Sequence, residues 1–225
     1  MNRAIAAVAA SCALGLLSGC ATTKPMALSK DVQKIDLTQE SIALMTVRVG
    51  NTYKTGYQPR LRYVAIRADD AEKKVTSFQI GELLARDESE TNQFEEAAVS
   101  FSLPPGKYQL RTVGVASQSL LTPGNGMVPI FTRFEVKPGQ VLYLGRIEAV
   151  RRERKDDSEL RAGLAIPLID QAVSGYSGGT FDVAISDSYE KDLDTLRKLY
   201  PALAGVEVTK AMLPKWRKPS DQDMD

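Results

Sequence analysis

Apolar and polar residues alternate with a period of two in run after run of this 225-residue chain. Ala97, Val99, Phe101 and Leu103 alternate with Ala98, Ser100 and Ser102. Tyr108, Leu110 and Thr112 alternate with Lys107, Gln109 and Arg111. Ile130, Thr132, Phe134 and Val136 repeat the pattern, as do Phe181, Val183 and Ile185. Successive side chains of a strand point to opposite faces, so this period commits each segment to a strand with one buried face. Ile42 to Val49 and Val141 to Ile147 are largely apolar on both faces, the pattern of central strands covered on two sides. Leu61 to Ile66, Val75 to Ile80 and Leu160 to Ile166 are weaker strand candidates.

Turn chemistry separates the runs. In Leu103-Pro104-Pro105-Gly106-Lys107-Tyr108, proline fixes one corner and glycine accepts the positive φ of the next. Gly106 is therefore expected at positive φ, with Tyr108 inward and Lys107 outward. Val136-Lys137-Pro138-Gly139-Gln140 uses the same chemistry again, so both phrases are expected to be hairpin turns. Short strands at this spacing predict a mainly β fold, an antiparallel β-sandwich of about eight or nine strands. One C-terminal helix interrupts them. Asp187 is a suitable N-cap, Glu190 completes a capping-box pattern, Tyr189, Leu193, Leu196 and Tyr200 share a face, and Pro201 ends it. Glu190, Lys191, Asp192, Asp194, Arg197 and Lys198 fall mainly on the opposite, solvated face. The helix is expected to pack across a sheet edge or an open end of the sandwich.

The N-terminus carries an address. Arg3 precedes an uncharged apolar stretch from Ile5 to Leu17, followed by small residues and Cys20. That order is a secretory leader, too short for a confident membrane span. The ending Leu17-Ser18-Gly19-Cys20 resembles the lipobox of bacterial lipoproteins, which implies cleavage before Cys20 and acylation, such as palmitoylation, of that cysteine. The expected organisation is a signal peptide over 1–19, a flexible tether over 20–36, a β-sandwich domain over 37–213 and a polar tail over 214–225.

Composition narrows the function. The chain has 29 Lys+Arg against 28 Asp+Glu, and loss of Arg3 with the leader leaves 28 of each sign. A neutral surface argues against a nucleic-acid partner, which calls for a basic excess. Cys12 leaves with the leader and Cys20 is the lipid site, so no cysteine remains for a disulfide, a thiol nucleophile or a metal centre. Histidine is absent. That removes Ser–His and Cys–His catalysis and the imidazole ligands of most catalytic zinc sites, while carboxylate, lysine and tyrosine chemistry survives.

Several motifs have a chemical and a plain reading. Gly175-Tyr176-Ser177-Gly178-Gly179 matches the nucleophile-elbow pattern, but it precedes a strand and no histidine exists to take the Ser177 proton. A glycine-rich loop explains the same residues. Asp69-Asp70, Asp156-Asp157, Asp187, Asp192 and Asp194 lack the alternate-position layout of a calcium loop and read as solvated surface. Arg151-Arg152-Glu153-Arg154-Lys155 reads as a charged hairpin loop, with lipid headgroups or an acidic partner as the alternative. Trp216, between Lys215 and Arg217, either closes the bottom of the domain before a disordered acidic end at 220–225 or anchors a membrane or partner contact. Tyr53, Tyr57 and Tyr176 lie in expected loops, as packing or ligand contacts.

Leu103-Pro-Pro-Gly-Lys-Tyr-Gln-Leu110 and Val136-Lys-Pro-Gly-Gln-Val-Leu-Tyr-Leu-Gly145, together with the lipobox, resemble an uncharacterised family of bacterial lipoproteins with a small β-sandwich domain. Leu142 stands where that family's second phrase carries an aromatic. The resemblance implies fold and location and no catalytic residues, cofactor or metal. The expected protein is a non-enzymatic binding or scaffolding module of the cell envelope, membrane-attached through Cys20, with an envelope protein or the cell wall as partner. Ala21 after the cysteine implies, by the same resemblance, the outer membrane and its periplasmic face. Two alternatives stand. A carboxylate-dependent glycan hydrolase needs two acidic side chains about 5–9.5 Å apart across a cleft. A small-ligand carrier needs an apolar pocket of about 300 Å³ or more between the sheets or under the helix.

Overall fold

A computed structural model describes residues 22–69, 74–89, 93–117, 124–165 and 171–224. The expected leader at 1–19, Cys20 and Asp70 lie outside them. The strands are β1 (Thr22–Lys24), β2 (Ser41–Asn51), β3 (Arg60–Ala68), β4 (Val75–Gln79), β5 (Leu83–Asp87), β6 (Phe94–Leu103), β7 (Gly106–Ser117), β8 (Gly124–Val136), β9 (Val141–Glu153), β10 (Gly179–Ser186) and β11 (Val208–Lys210). The helices are α1 (Gln171–Ser174), α2 (Tyr189–Leu199) and α3 (Asp221–Met224), with a 3-10 turn at Pro201–Leu203.

The strands form two sheets. One runs β1-β4-β3-β7-β8 and the other β10-β9-β2-β6-β5, with β11 added beside β9. The expected sandwich is present, with eleven strands among the described residues. Its sheets are mixed, because β1 pairs β4, β2 pairs β9 and β11 pairs β9 in parallel. The central pair β2–β9 comprises the two runs apolar on both faces, as parallel strands buried on both sides require. Alternation marks a strand but carries no direction, so the parallel pairings were not readable. The short strands β1, β5 and β11 have too few residues to show a period. Leu160 to Ala165 forms no strand; the segment ties in through isolated bonds, such as Ala162 N–H to Gly179 O at 2.8 Å.

Two apolar layers flank the six-stranded sheet. Its inner face, with Ala43, Met45, Val47 and Val49 from β2 and Ala97, Val99, Phe101 and Leu103 from β6, packs against Val64, Ile66, Leu110, Val113 and Ile130 of the facing sheet. Its outer face carries Ile42, Leu44, Ala98, Val141 and Tyr143 beneath Leu193 and Leu196 of α2 and Tyr200 at its C-terminal cap. The helix thus lies across a sheet face rather than the expected sheet edge or open end, because the outer face of β2, β6 and β9 is apolar there, and it uses the four residues expected. Its cap differs: Ser188 is the N-cap without a side-chain bond, and Asp187 accepts from Tyr189 N–H at 3.0 Å while pairing with Lys210. No Glu190 capping box forms.

Neither Pro-Gly turn closes the expected hairpin: β6 and β7 lie in different sheets, as do β8 and β9, so both turns carry the chain from one sheet to the other, and they split the glycine expectation. Gly139 has φ +68°, as the Pro-Gly turn requires, whereas Gly106 begins β7 without a positive φ. Tyr108 points inward and Lys107 outward, as expected, and the Tyr108 hydroxyl donates to Pro104 O at 2.7 Å. The proline pair makes the corner, so the strand resumes at the glycine itself.

Both ends differ from expectation. The segment read as a tether is bound to the domain from Thr22: β1 pairs β4, Ala27 N–H donates to Ser100 O at 3.0 Å, and Leu28 is 2% exposed. It covers an edge of β6 that β5 leaves open, so unpaired backbone groups decide its course despite its polar composition. At the other end, Trp216 Nε1–H donates to Pro129 O at 2.8 Å, the domain-closing role. Beyond it Asp223 is buried, taking both terminal nitrogens of Arg217 at 3.0 Å, and Gln109 Nε2 donates to its backbone oxygen at 2.9 Å.

Candidate functional cleft

Helix α2 covers only part of the outer face of the six-stranded sheet. Beyond it the same face continues through a polar band and then lies open. The band is centred on Asp192, 2% exposed, which accepts from Thr46 Oγ1 at 2.5 Å, Tyr143 OH at 2.7 Å and Arg146 at 3.3 Å. Asp192 was expected on the solvated helix face. It is buried because Thr46, Tyr143 and Arg146 all present hydrogen-bond donors beneath it, a condition that helical periodicity cannot register. Burial, and then Asp192, push the Tyr143 hydroxyl well above its ordinary pKa, so it remains a donor. Arg146 also binds Glu96 through both terminal nitrogens at 2.7 Å and Glu148 through Nε at 3.1 Å. Those bonds, led by Glu96, hold its guanidinium above the ordinary arginine range.

A bulge makes this arrangement possible. In β9, Leu142 and Leu144 face the inter-sheet core, and so do Ile147 and Ala149. Gly145, at φ +115°, is the extra residue between them, where the pairing with β2 shifts register. One added residue reverses the parity, sending Arg146, Glu148 and Val150 to the outer face.

The open part of that face is a cleft of about 480 Å³ lined by Arg48, Phe94, Glu148 and Val150 from the sheet and by Thr52, Thr55 and Gln58 from the loop after β2. A second cleft of about 390 Å³ adjoins it, sharing Thr55, Gln58, Gln93 and Phe94. Arg48 lies flat over Phe94, 3.6 Å from the ring centre. Gln58 Nε2 donates to Asn51 O at 3.1 Å and Thr55 O at 2.9 Å, which fixes the loop over the cleft. The buried Oε1 atoms of Gln58 and Gln93 find no donor. Among the described residues Glu148 is the one carboxylate lining the larger cleft, and its Oε1 accepts from Arg146 Nε at 3.1 Å.

The residues singled out in the sequence fall elsewhere. Ser177 lies in a loop entering β10, with its carbonyl accepting from Arg161 at 2.8 Å. Tyr53, Tyr57 and Tyr176 are brought together around Arg151, which is fully buried. Its Nε donates to Asn51 Oδ1 at 3.1 Å, its NH2 to Tyr57 O at 2.7 Å, and its guanidinium lies 4.0 Å from the Tyr176 ring centre. Tyr53 packs beside Gly175 and Gly178. Burial pushes the Arg151 pKa down and the Tyr176 pKa up. The basic run is therefore strand β9 through Glu153 rather than a hairpin loop. Arg152 pairs Glu159 and Asp182, and Arg154 pairs Asp157. Among the described residues, no group of three or more acidic, histidine or cysteine side chains could hold a metal, and no helix is long and apolar enough to cross a membrane. Compared with known proteins, the chain matches no family model, and neither a curated protein nor a solved structure is similar to it.

Proposed function

We propose that this chain is a lipoprotein of the bacterial cell envelope, acylated at Cys20 and held on the periplasmic face of the outer membrane. Its sandwich binds an envelope partner rather than transforming a substrate. The leader ending Leu17-Ser18-Gly19-Cys20 supports the anchor. The cleft carries the binding reading: it offers hydrogen-bonding groups on a sheet face, where Glu148 accepts from Arg146 through Oε1 alone. An alcohol nucleophile near neutral pH requires a positioned proton acceptor, and histidine is absent from the chain.

Two measurements test this reading. One acyl chain gives only marginal attachment and several give stable attachment, so Cys20→Ser should lose labelled palmitate, retain residues 1–19 and leave the membrane fraction on alkaline wash. Cleavage after Gly19 and full retention in that variant would refute the anchor. Purified protein should leave Ser177 unlabelled by a fluorophosphonate probe; stoichiometric labelling abolished by Ser177→Ala would make it an enzyme.

A further inference from the structure

Arg48 has a carboxylate on either side. Glu96 is its register partner on β6 and Glu148 its register partner on β9. Both turn instead to Arg146. Among the described residues Arg48 makes no ion pair or hydrogen bond; its contact is the ring of Phe94, which takes one face of the guanidinium. The planar edge, with five N–H donors, is left for something else. Next to it stand Gln58 and Gln93, each with an Oε1 lacking a donor, and the exposed hydroxyl residues Thr52 and Thr55.

Charge selects the ligand. The Arg48 surroundings hold Glu96, Glu148 and Asp87, the last made more acidic by its bonds from Ser89 and then by Arg48. An incoming anion would meet Arg48 and Arg146 among four carboxylates, Glu96, Glu148, Asp192 and Asp87, a local excess of negative charge. A neutral ligand rich in hydroxyls meets no such repulsion. It can accept from the guanidinium edge through adjacent oxygens and donate to Glu148 and to the glutamine oxygens once their amides turn into the cleft. The two adjoining clefts give length for an oligomer rather than a single ring. We propose that this cleft binds a neutral saccharide chain, with Arg48 as its central donor. The inference rests on the binding reading above and names its ligand class.

The test uses full-length protein in detergent, titrated calorimetrically with chitotetraose, maltotetraose, citrate and inorganic phosphate. Saturable binding of a neutral oligosaccharide is expected, weakened about tenfold or more by Arg48→Ala and to a lesser degree by Arg48→Lys, which keeps the charge but loses the fork. Gln58→Leu, in the loop outside the sheet, should also weaken it and carries the test if Arg48→Ala unfolds. Failure of both sugars to bind, unchanged affinity in these variants, or tighter binding of citrate or phosphate would overturn the proposal. Membrane retention through Cys20 in the same preparations separates loss of this inference from loss of the lipoprotein reading.

Discussion

Arg146 grips Glu96 two strands away, through both terminal nitrogens at 2.7 Å, although the cross-strand neighbour of Glu96 on β2 is Arg48. The side-chain pairing therefore runs diagonally to the backbone register. Asp192 explains it: α2 lowers a third carboxylate onto Arg146, after Glu96 and Glu148, so Arg146 sits at the meeting point of helix and sheet while Arg48 is left to the cleft. The band thus joins two roles, fixing α2 and freeing the arginine beyond it.

Removing Asp192 should unfasten the helix. Asp192→Ala leaves Thr46 and Tyr143 without an acceptor and Arg146 short of a counter-charge, and breaking a buried pair from one side is costly. Urea unfolding should show a loss of about 3 kcal/mol. Asp192→Asn, which keeps an acceptor for Tyr143, should lose less. Equal stability of Asp192→Ala and the parent would mean that the apolar face of α2 holds it alone.

The bulge at Gly145 should resist substitution. A Cβ there would lie 2.7 Å from Met212 Cε and 3.3 Å from Ser186 O, at φ +115°. Gly145→Val should cost about 2 kcal/mol through backbone strain and crowding. It should also disturb Arg146 and Glu148, read as altered amide shifts of the outer face.

The two Pro-Gly turns should respond differently. Gly139 sits at φ +68°, whereas a Cβ on Gly106 would make ordinary contact with the Tyr108 ring at 3.6 Å. Gly139→Val should destabilise by about 1 kcal/mol or more, and Gly106→Val by less. The reverse order of melting temperatures would contradict the turn assignment.

Acid should release the loop after β9. Glu159 accepts from Arg152 at 2.5 and 2.9 Å and from Lys155 N–H at 2.7 Å, and the Arg152 bonds foremost lower its pKa from 4.5 to about 2. A depressed carboxyl contributes its stability above the unfolded value and loses it as pH falls through the folded one. The melting-temperature gap between parent and Glu159→Gln should be full above pH 4.5 and vanish toward about pH 2. A gap that persists there would assign the difference to packing.

The sequence by itself determined most of the strands and the helix, because each is written in local pattern. Period-two runs mark β6, β7, β8 and β10, apolar runs mark the central strands β2 and β9, and four residues from Tyr189 to Tyr200 define the buried face of α2. Tertiary structure decided everything that depends on residues far apart in the chain. It chose parallel partners for β2 and β9, recruited β1, β5 and β11 as edges, bound the expected tether and tail, and gathered Tyr53, Tyr57 and Tyr176 around Arg151. It also built the cleft. No local signal distinguishes Arg48 from Arg146, since both lie on strands with apolar neighbours. Their difference arises from one inserted glycine, which sets the parity of β9, and from Asp192, which arrives from a helix 146 residues after Thr46. Alternation tells which face a side chain takes; which charges then meet on that face is fixed only when the strands and the helix assemble.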